Sequence, residues 1–134
     1  MNILRLLCVA MLGAVLYGCE SAPIKGIQDE IKVLFQSGKA EQDLATGIRQ
    51  YENHNYTEAS RNLQASLDAG LASKSDQVKA HKYLAFIHCV SARERQCRDE
   101  FRKALKIDPA FELEPAEAGH PNWGPVFRST KGRR

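Results

Sequence analysis

Phe101-Arg102-Lys103-Ala104-Leu105-Lys106-Ile107-Asp108-Pro109 closes a helical segment that repeats an earlier one when the chain is shifted against itself by 38 residues. Gly47 then falls on Ala85, Ile48 on Phe86, Ala59 on Cys97, Leu63 on Phe101 and Leu67 on Leu105. Small residues recur where two helices must approach closely, and large ones where a gap must be filled. The earlier copy of the segment is entered through Asn55-Tyr56-Thr57-Glu58-Ala59. From Lys39 onward, short polar joints separate helices predicted at about 40–53, 57–69, 76–90 and 93–107. Asn55-x-x-Glu58 and Ser91-x-x-Glu94 read as helix starts whose first side chains cap free backbone N–H groups. Before them Ile24, Ile27, Ile31, Leu34 and Phe35 recur at helical spacing, with Gly38 as a stop. No run alternates apolar and polar residues as a half-buried strand does, so the fold class is all-α.

A small residue in each helix of an antiparallel pair, an aromatic near the end of the second helix and a closing proline resemble the tetratricopeptide repeat (TPR), whose unit is about 34 residues. The four surplus residues fall between Ala69 and Ser75, and the first unit departs from the pattern with Thr46 for leucine and Leu71 for proline. The resemblance implies antiparallel helix pairs in a short TPR-like solenoid. Two units are few, because stacked pairs share a core and need their ends covered. The helix over 24–36 is the expected cover at one end. At the other, Trp123 and Phe127 stand four residues apart, so one helical turn from Asn122 presents both rings to the last pair.

The N-terminus assigns a place of work. Arg5 supplies a positive start, Leu6–Leu16 is apolar, and Leu16-Tyr17-Gly18-Cys19 resembles a lipobox, in which cleavage precedes an acylated cysteine. Eleven apolar residues are too few to span a bilayer core of about 30 Å, which needs roughly 20, so the run is a signal and not a span. Processing is expected to leave 116 residues of the 134, beginning at Cys19 and carrying a net charge near +2, which points to no nucleic acid. Glu20 after the cysteine favours a lipid-anchored, periplasm-facing protein of the outer membrane. The expected organisation is a signal peptide (1–18), a lipidated tether with an N-terminal helix (19–38), two TPR-like repeats (39–110), and a C-terminal cap with a basic tail (111–134).

The stretch Ala80–Cys89, continuing through Cys97–Leu105 to Gly119-His120-Pro121-Asn122-Trp123-Gly124-Pro125-Val126-Phe127, resembles the type VI secretion-associated (TssQ-like) TPR lipoprotein family. The resemblance implies a non-enzymatic adaptor of the secretion apparatus in the cell envelope that acts by protein–protein binding. Related TPR lipoproteins serve pilus or outer-membrane assembly, and a structural role in contact with peptidoglycan is a third possibility.

Cys89 lies late in one predicted helix and Cys97 early in the next. In an antiparallel hairpin those levels face each other, within the roughly 4.4–6.8 Å between alpha carbons that a disulfide needs. An oxidising periplasm favours the bond, with two free buried thiols as the alternative. His81 and His88 stand two turns apart on one helix face, and His88 adjoins Cys89. Neighbouring helical side chains point about 100° apart, so a shared metal ion is disfavoured and none is expected. His120 has no nucleophile motif beside it, Glu112, Glu114 and Glu117 read as a solvated face, and no glycine-rich phosphate loop is present, so no enzymatic activity and no cofactor are expected.

By resemblance to TPR proteins, a partner-binding groove follows the first helix of each unit. Glu41, Leu44, Ile48 and Tyr51 line it, then Lys79, Lys82, Phe86 and Val90. Apolar centres with lysine rims suit a segment of an envelope protein that has apolar anchors and acidic neighbours. The tail Arg128-Ser129-Thr130-Lys131-Gly132-Arg133-Arg134 reads as a solvated, disordered end, or as a cationic segment drawn to anionic headgroups or peptidoglycan.

Overall fold

The computed structural model of the protein describes residues 25–133, the side chains of 25–28, 33, 36 and 37 excepted. The signal segment and the expected lipidation site, Cys19, lie outside the described residues. Among these, every regular element is helical: α1 (Lys25–Glu52), α2 (Tyr56–Ala69), α3 (Lys74–Val90), α4 (Glu94–Ile107), α5 (Pro115–Ala118) and α6 (Gly124–Lys131). The all-α class is as expected, and successive long helices form antiparallel pairs. The chain divides into two compact units, Met1–Lys32 and Val33–Arg134. In the first, the described residues are the opening turns of α1. The second holds the core.

Its internal repetition is closer than sequence alone suggests. Shifted by 38 residues, the ends of α1 and α2 coincide with those of α3 and α4, and the start of α2 with that of α4. The turns between paired helices match as well. His54 and Ala92, 38 apart, are the two non-glycine residues with positive φ among the described residues, at 61° and 56°. His54 N–H donates to the Tyr51 carbonyl at 2.9 Å, and Ala92 N–H to that of Cys89 at 3.2 Å. Asn55 N–H reaches Gln50 O at 2.8 Å, and Arg93 N–H reaches His88 O at 2.9 Å. Ala59 and Cys97 occupy equivalent close-contact positions, both fully buried, as are Leu63 and Phe101 one turn on. Gly47 shows why the pattern demands a small residue. A Cβ built there would stand 2.8 Å from Leu63 Cγ and 3.0 Å from Leu63 N, so α1 and α2 are nearly in backbone contact.

Several local expectations are corrected. Gly38 does not end the first helix; α1 runs through it. A helical glycine costs about 1 kcal/mol against alanine, a cost the buried Ala40 and Leu44 just beyond it can offset. Leu34 and Phe35 do not close the end of the first pair, since they are 71% and 77% exposed. Asn55 stands before α2 without capping it, because its amide donates to Gln50 Oε1 at 2.9 Å. Ser91 ends α3 and does not begin α4, whose first flanking residue is Arg93. Only Ser73 among these joints behaves as a side-chain cap, accepting from Asp76 N–H at 3.3 Å.

Two apolar clusters fill the second unit. One joins Ala40, Leu44, Ala59 and Leu63 to Leu84 and Ile87 of α3. The other joins Phe86, Cys97 and Phe101 to Leu113, Trp123 and Phe127 of the C-terminal segment. Trp123 and Phe127, 6% and 3% exposed, do cover the last pair as expected. Phe127 meets Phe101 edge-on at 5.1 Å. Arg128–Lys131 of the expected disordered tail are instead the end of α6. Thr130 is buried, Arg128 Nη1 donates to the Ala118 carbonyl at 3.0 Å, and Lys131 Nζ reaches the Phe111 carbonyl at 3.1 Å and Glu112.

Candidate partner-binding cleft

The C-terminal segment packs α6 on α4 and sets Trp123 and Glu117 against Phe86 and Lys82 of α3, inside the expected groove. Trp123 stacks on Phe86 with centroids 4.2 Å apart, and His120 stacks on the other face of the indole at 3.4 Å. Trp123 Nε1 donates to the Glu117 carbonyl at 2.9 Å. The same residue's carboxylate accepts Lys82 Nζ at 2.5 Å through one oxygen and Glu114 N–H at 3.1 Å through the other. Glu117 is therefore a hub that fixes α5 against α3. Its expected place on a solvated face with Glu112 and Glu114 is corrected.

Tight chain geometry allows this packing. A Cβ on Gly124 would lie 2.4 Å from the carbonyl oxygen of Ala118, so only glycine lets α6 start so near α5. Pro125, in the first turn of α6, has no N–H to leave unpaired there. His120 Nδ1 accepts Asn122 N–H at 3.2 Å, which holds the turn between α5 and α6. The Gly-His-Pro-Asn-Trp-Gly-Pro-Val-Phe run is thus a clasp closed on α3.

The seven expected groove residues, with Glu41, are scattered by this arrangement. Leu44 is buried, and Ile48 packs beside it. Phe86 is buried under Trp123, and Val90 packs against the same cluster. Tyr51, half-buried between the clusters, meets Tyr83 edge-on at 5.0 Å and Phe86 at 6.2 Å. Burial first, then the neighbouring Tyr56 and Tyr83, pushes the pKa of its hydroxyl up to about 12. Glu41 is exposed. Lys79 and Lys82 line an open cavity, and Lys82 is itself held by Glu117 while its ammonium stands 5.7 Å from the Phe86 ring centroid.

That cavity, about 560 Å³, is the cleft that remains. Lys74, Lys79 and Lys82 of α3 form one wall. Asp108, Glu112 and Glu114, from the connection after α4, form the other. Val78, Ile107 and Phe111 give it an apolar floor. Lys79 is exposed and holds only a helical neighbour, Asp76, at 3.3 Å, a contact of small energetic consequence. Such a cleft suits one apolar side chain between Val78 and Phe111, flanked by charges that read the two walls. Phe111 and the acidic wall were not legible as site residues, because they become neighbours of α3 only through the reversal at Pro109.

The other expected sites resolve as structural contacts. Cys89 and Cys97 form a disulfide across the α3–α4 turn, with Sγ atoms 2.09 Å apart and alpha carbons 5.2 Å apart. His81 and His88 do not converge. His81 Nδ1 pairs with Glu100 Oε2 at 2.6 Å, whereas His88 Nδ1 accepts from Arg93 Nε at 3.0 Å. Burial, then Arg93, holds the imidazole of His88 below its usual pKa. Burial pushes the Glu100 carboxyl upward, but hydrogen bonds from His81 and Lys103 outweigh it and leave the pKa lowered. Among the described residues no group of three or more His, Cys, Asp or Glu is placed to hold a metal ion, and no helix is long and apolar enough to cross a membrane. Against family models, curated proteins and solved structures, the chain finds no match.

Proposed function

We propose that the protein is a non-enzymatic, lipid-anchored adaptor of TPR-like construction that assists the type VI secretion system in the cell envelope by holding a segment of a partner protein. The observation that carries this reading is the cleft between α3 and the 108–114 connection. It is a part of the inner helix face that the clasp leaves open, and it combines an apolar floor with a lysine wall on which Lys79 is exposed. The 38-residue repetition of a helix hairpin supports the TPR-like construction. The family resemblance of the Ala80–Phe127 stretch points to the secretion apparatus.

Acylation of Cys19 would confine the cleft to the periplasmic face of the outer membrane. Tethering raises the effective concentration of any envelope partner, so even a weakly binding cleft works there. Affinity purification from crosslinked envelopes tests the assignment. Recovery of secretion-complex subunits, together with loss of secretion in a deletion strain that grows normally, is the expected result. Recovery of pilus subunits or of murein fragments, with secretion intact, would transfer the protein to pilus assembly or to a structural envelope role.

A further inference from the structure

A second cavity, about 630 Å³, lies between α4 and the C-terminal end of α6 and is walled by Arg98, Arg102, Lys106 and Arg133. Helical spacing explains three of these. Residues 98, 102 and 106 succeed one another at intervals of four and so share one face of α4. Folding of the C-terminal residues as α6 brings Arg133 to the same cavity, where Leu105, Pro109 and Thr130 complete the lining. No carboxylate lines it. Arg98 is held by Glu94 and lies 3.4 Å from Ser129 Oγ, and Arg102 is held by Asp99 at 2.7 Å. These carboxylates are taken from the exposed flank of α4. Lys106 and Arg133 have no ion-pair partner among the described residues.

Four cations around one concavity repel one another. The C-terminal ends of α4 and α6, where free carbonyls favour positive charge, offset part of that repulsion. An anion bound between them would remove more of it. Guanidinium forks match tetrahedral oxyanions, and several donors converging on a recess bind phosphate better than an isolated surface lysine does. The volume exceeds that of a bare phosphate ion and has room for what a phosphate ester carries. We propose that this cavity is a binding site for a phosphate ester, with Arg98, Arg102, Lys106 and Arg133 as its ligands. The phosphate can be that of an anionic lipid headgroup or of a soluble phosphorylated compound.

The test uses the purified full chain in an uncharged sugar detergent, at ionic strength held constant with sodium chloride. Isothermal calorimetry is run with inorganic phosphate, and separately with a short-chain phosphatidylglycerol below its micellar concentration. The comparison variant is Lys106→Gln with Arg133→Gln, which breaks no ion pair and touches neither the clasp nor the Val78–Phe111 cleft. Saturable binding that weakens at least tenfold in the variant is expected. Binding of both probes supports the site with phosphate alone sufficient, and binding of the lipid probe alone supports it with a lipid headgroup as the source. Absence of saturable binding for both probes, or equal affinity in wild type and variant, would overturn the proposal.

Discussion

Trp123 lies face to face with Phe86 at 4.2 Å, so the C-terminal clasp takes the place on α3 where a partner peptide was expected. The indole is closed in by His120 on its far side and tied through Nε1 to the Glu117 carbonyl. Removing it leaves a cavity and frees the clasp together. Trp123→Ala is expected to cost about 3–5 kcal/mol, as for other large aromatics taken from a core. Urea unfolding checks this, and an unchanged midpoint would mean that the clasp does not contribute to folding. By the same geometry Phe86→Glu is a core variant and cannot serve as a probe of binding.

Three glycines give predictions of different sign. Gly124→Ala drives a methyl against a backbone carbonyl that cannot step aside, and should be the most destabilising. Gly47→Ala brings a methyl to 2.8 Å from Leu63 Cγ and 3.0 Å from Leu63 N, less close than at Gly124, and gains helix propensity, so a smaller loss is expected. A Cβ at Gly38 meets nothing within 4 Å, so Gly38→Ala should stabilise α1 by up to about 1 kcal/mol. Thermal melting of the three variants gives the order directly, and a stabilised Gly124→Ala would contradict the close approach of α5 and α6.

Reduction of Cys89–Cys97 should lower stability by about 2–3 kcal/mol, since the closed loop is short and the chain-entropy gain grows only slowly with its length. Unfolding with and without reductant measures the difference. Peptide mapping of the unreduced protein, isolated from cells with its thiols blocked, should find the two cysteines joined, and free thiols would refute the bond.

Stability should fall on acidification, in two stages of the same sign. His88 is held below its ordinary value of 6.5, so the unfolded chain takes up a proton there that the folded chain refuses. Its contribution is complete above that value and is lost as the pH falls from there through the lower pKa of the folded state. Glu100 is held below 4.5, and its contribution is likewise complete above 4.5 and lost below it. Denaturant titrations across pH 7 to 3 should show the decline, with Glu100→Gln flattening its lower part. A Glu100→Gln slope equal to wild type would show that the His81–Glu100–Lys103 group does not carry it.

The hairpin repeat was legible in the sequence because both copies place a small residue opposite a large one at the same offset. Gly47 with Leu63 and Ala85 with Phe101 are one contact made twice. The disulfide was legible for the same reason, as Cys97 holds the close-contact position that Ala59 holds in the first copy. What stayed hidden was non-local. Lys82 and Glu117 are separated by 35 positions, and Glu117 sits among carboxylates spaced as on a solvated face, so nothing near it signals a hub. The groove was misread because the TPR resemblance supplies an empty inner face, whereas this chain fills its own with Trp123. The basic tail was misread because charge alone does not reveal that Val126, Phe127 and Thr130 bury one side of the same helix.

If the cleft between Val78 and Phe111 holds a segment of an envelope partner, Lys79 at its rim is the residue that reports on it. A photo-crosslinking amino acid placed at Lys79, in cells expressing the lipidated protein, captures whatever occupies the cleft. The same residue placed at Arg61, exposed on α2, is the control. A discrete adduct with a type VI secretion subunit at position 79 and not at position 61 is predicted. No adduct at position 79, or the same adducts at both positions, would contradict it.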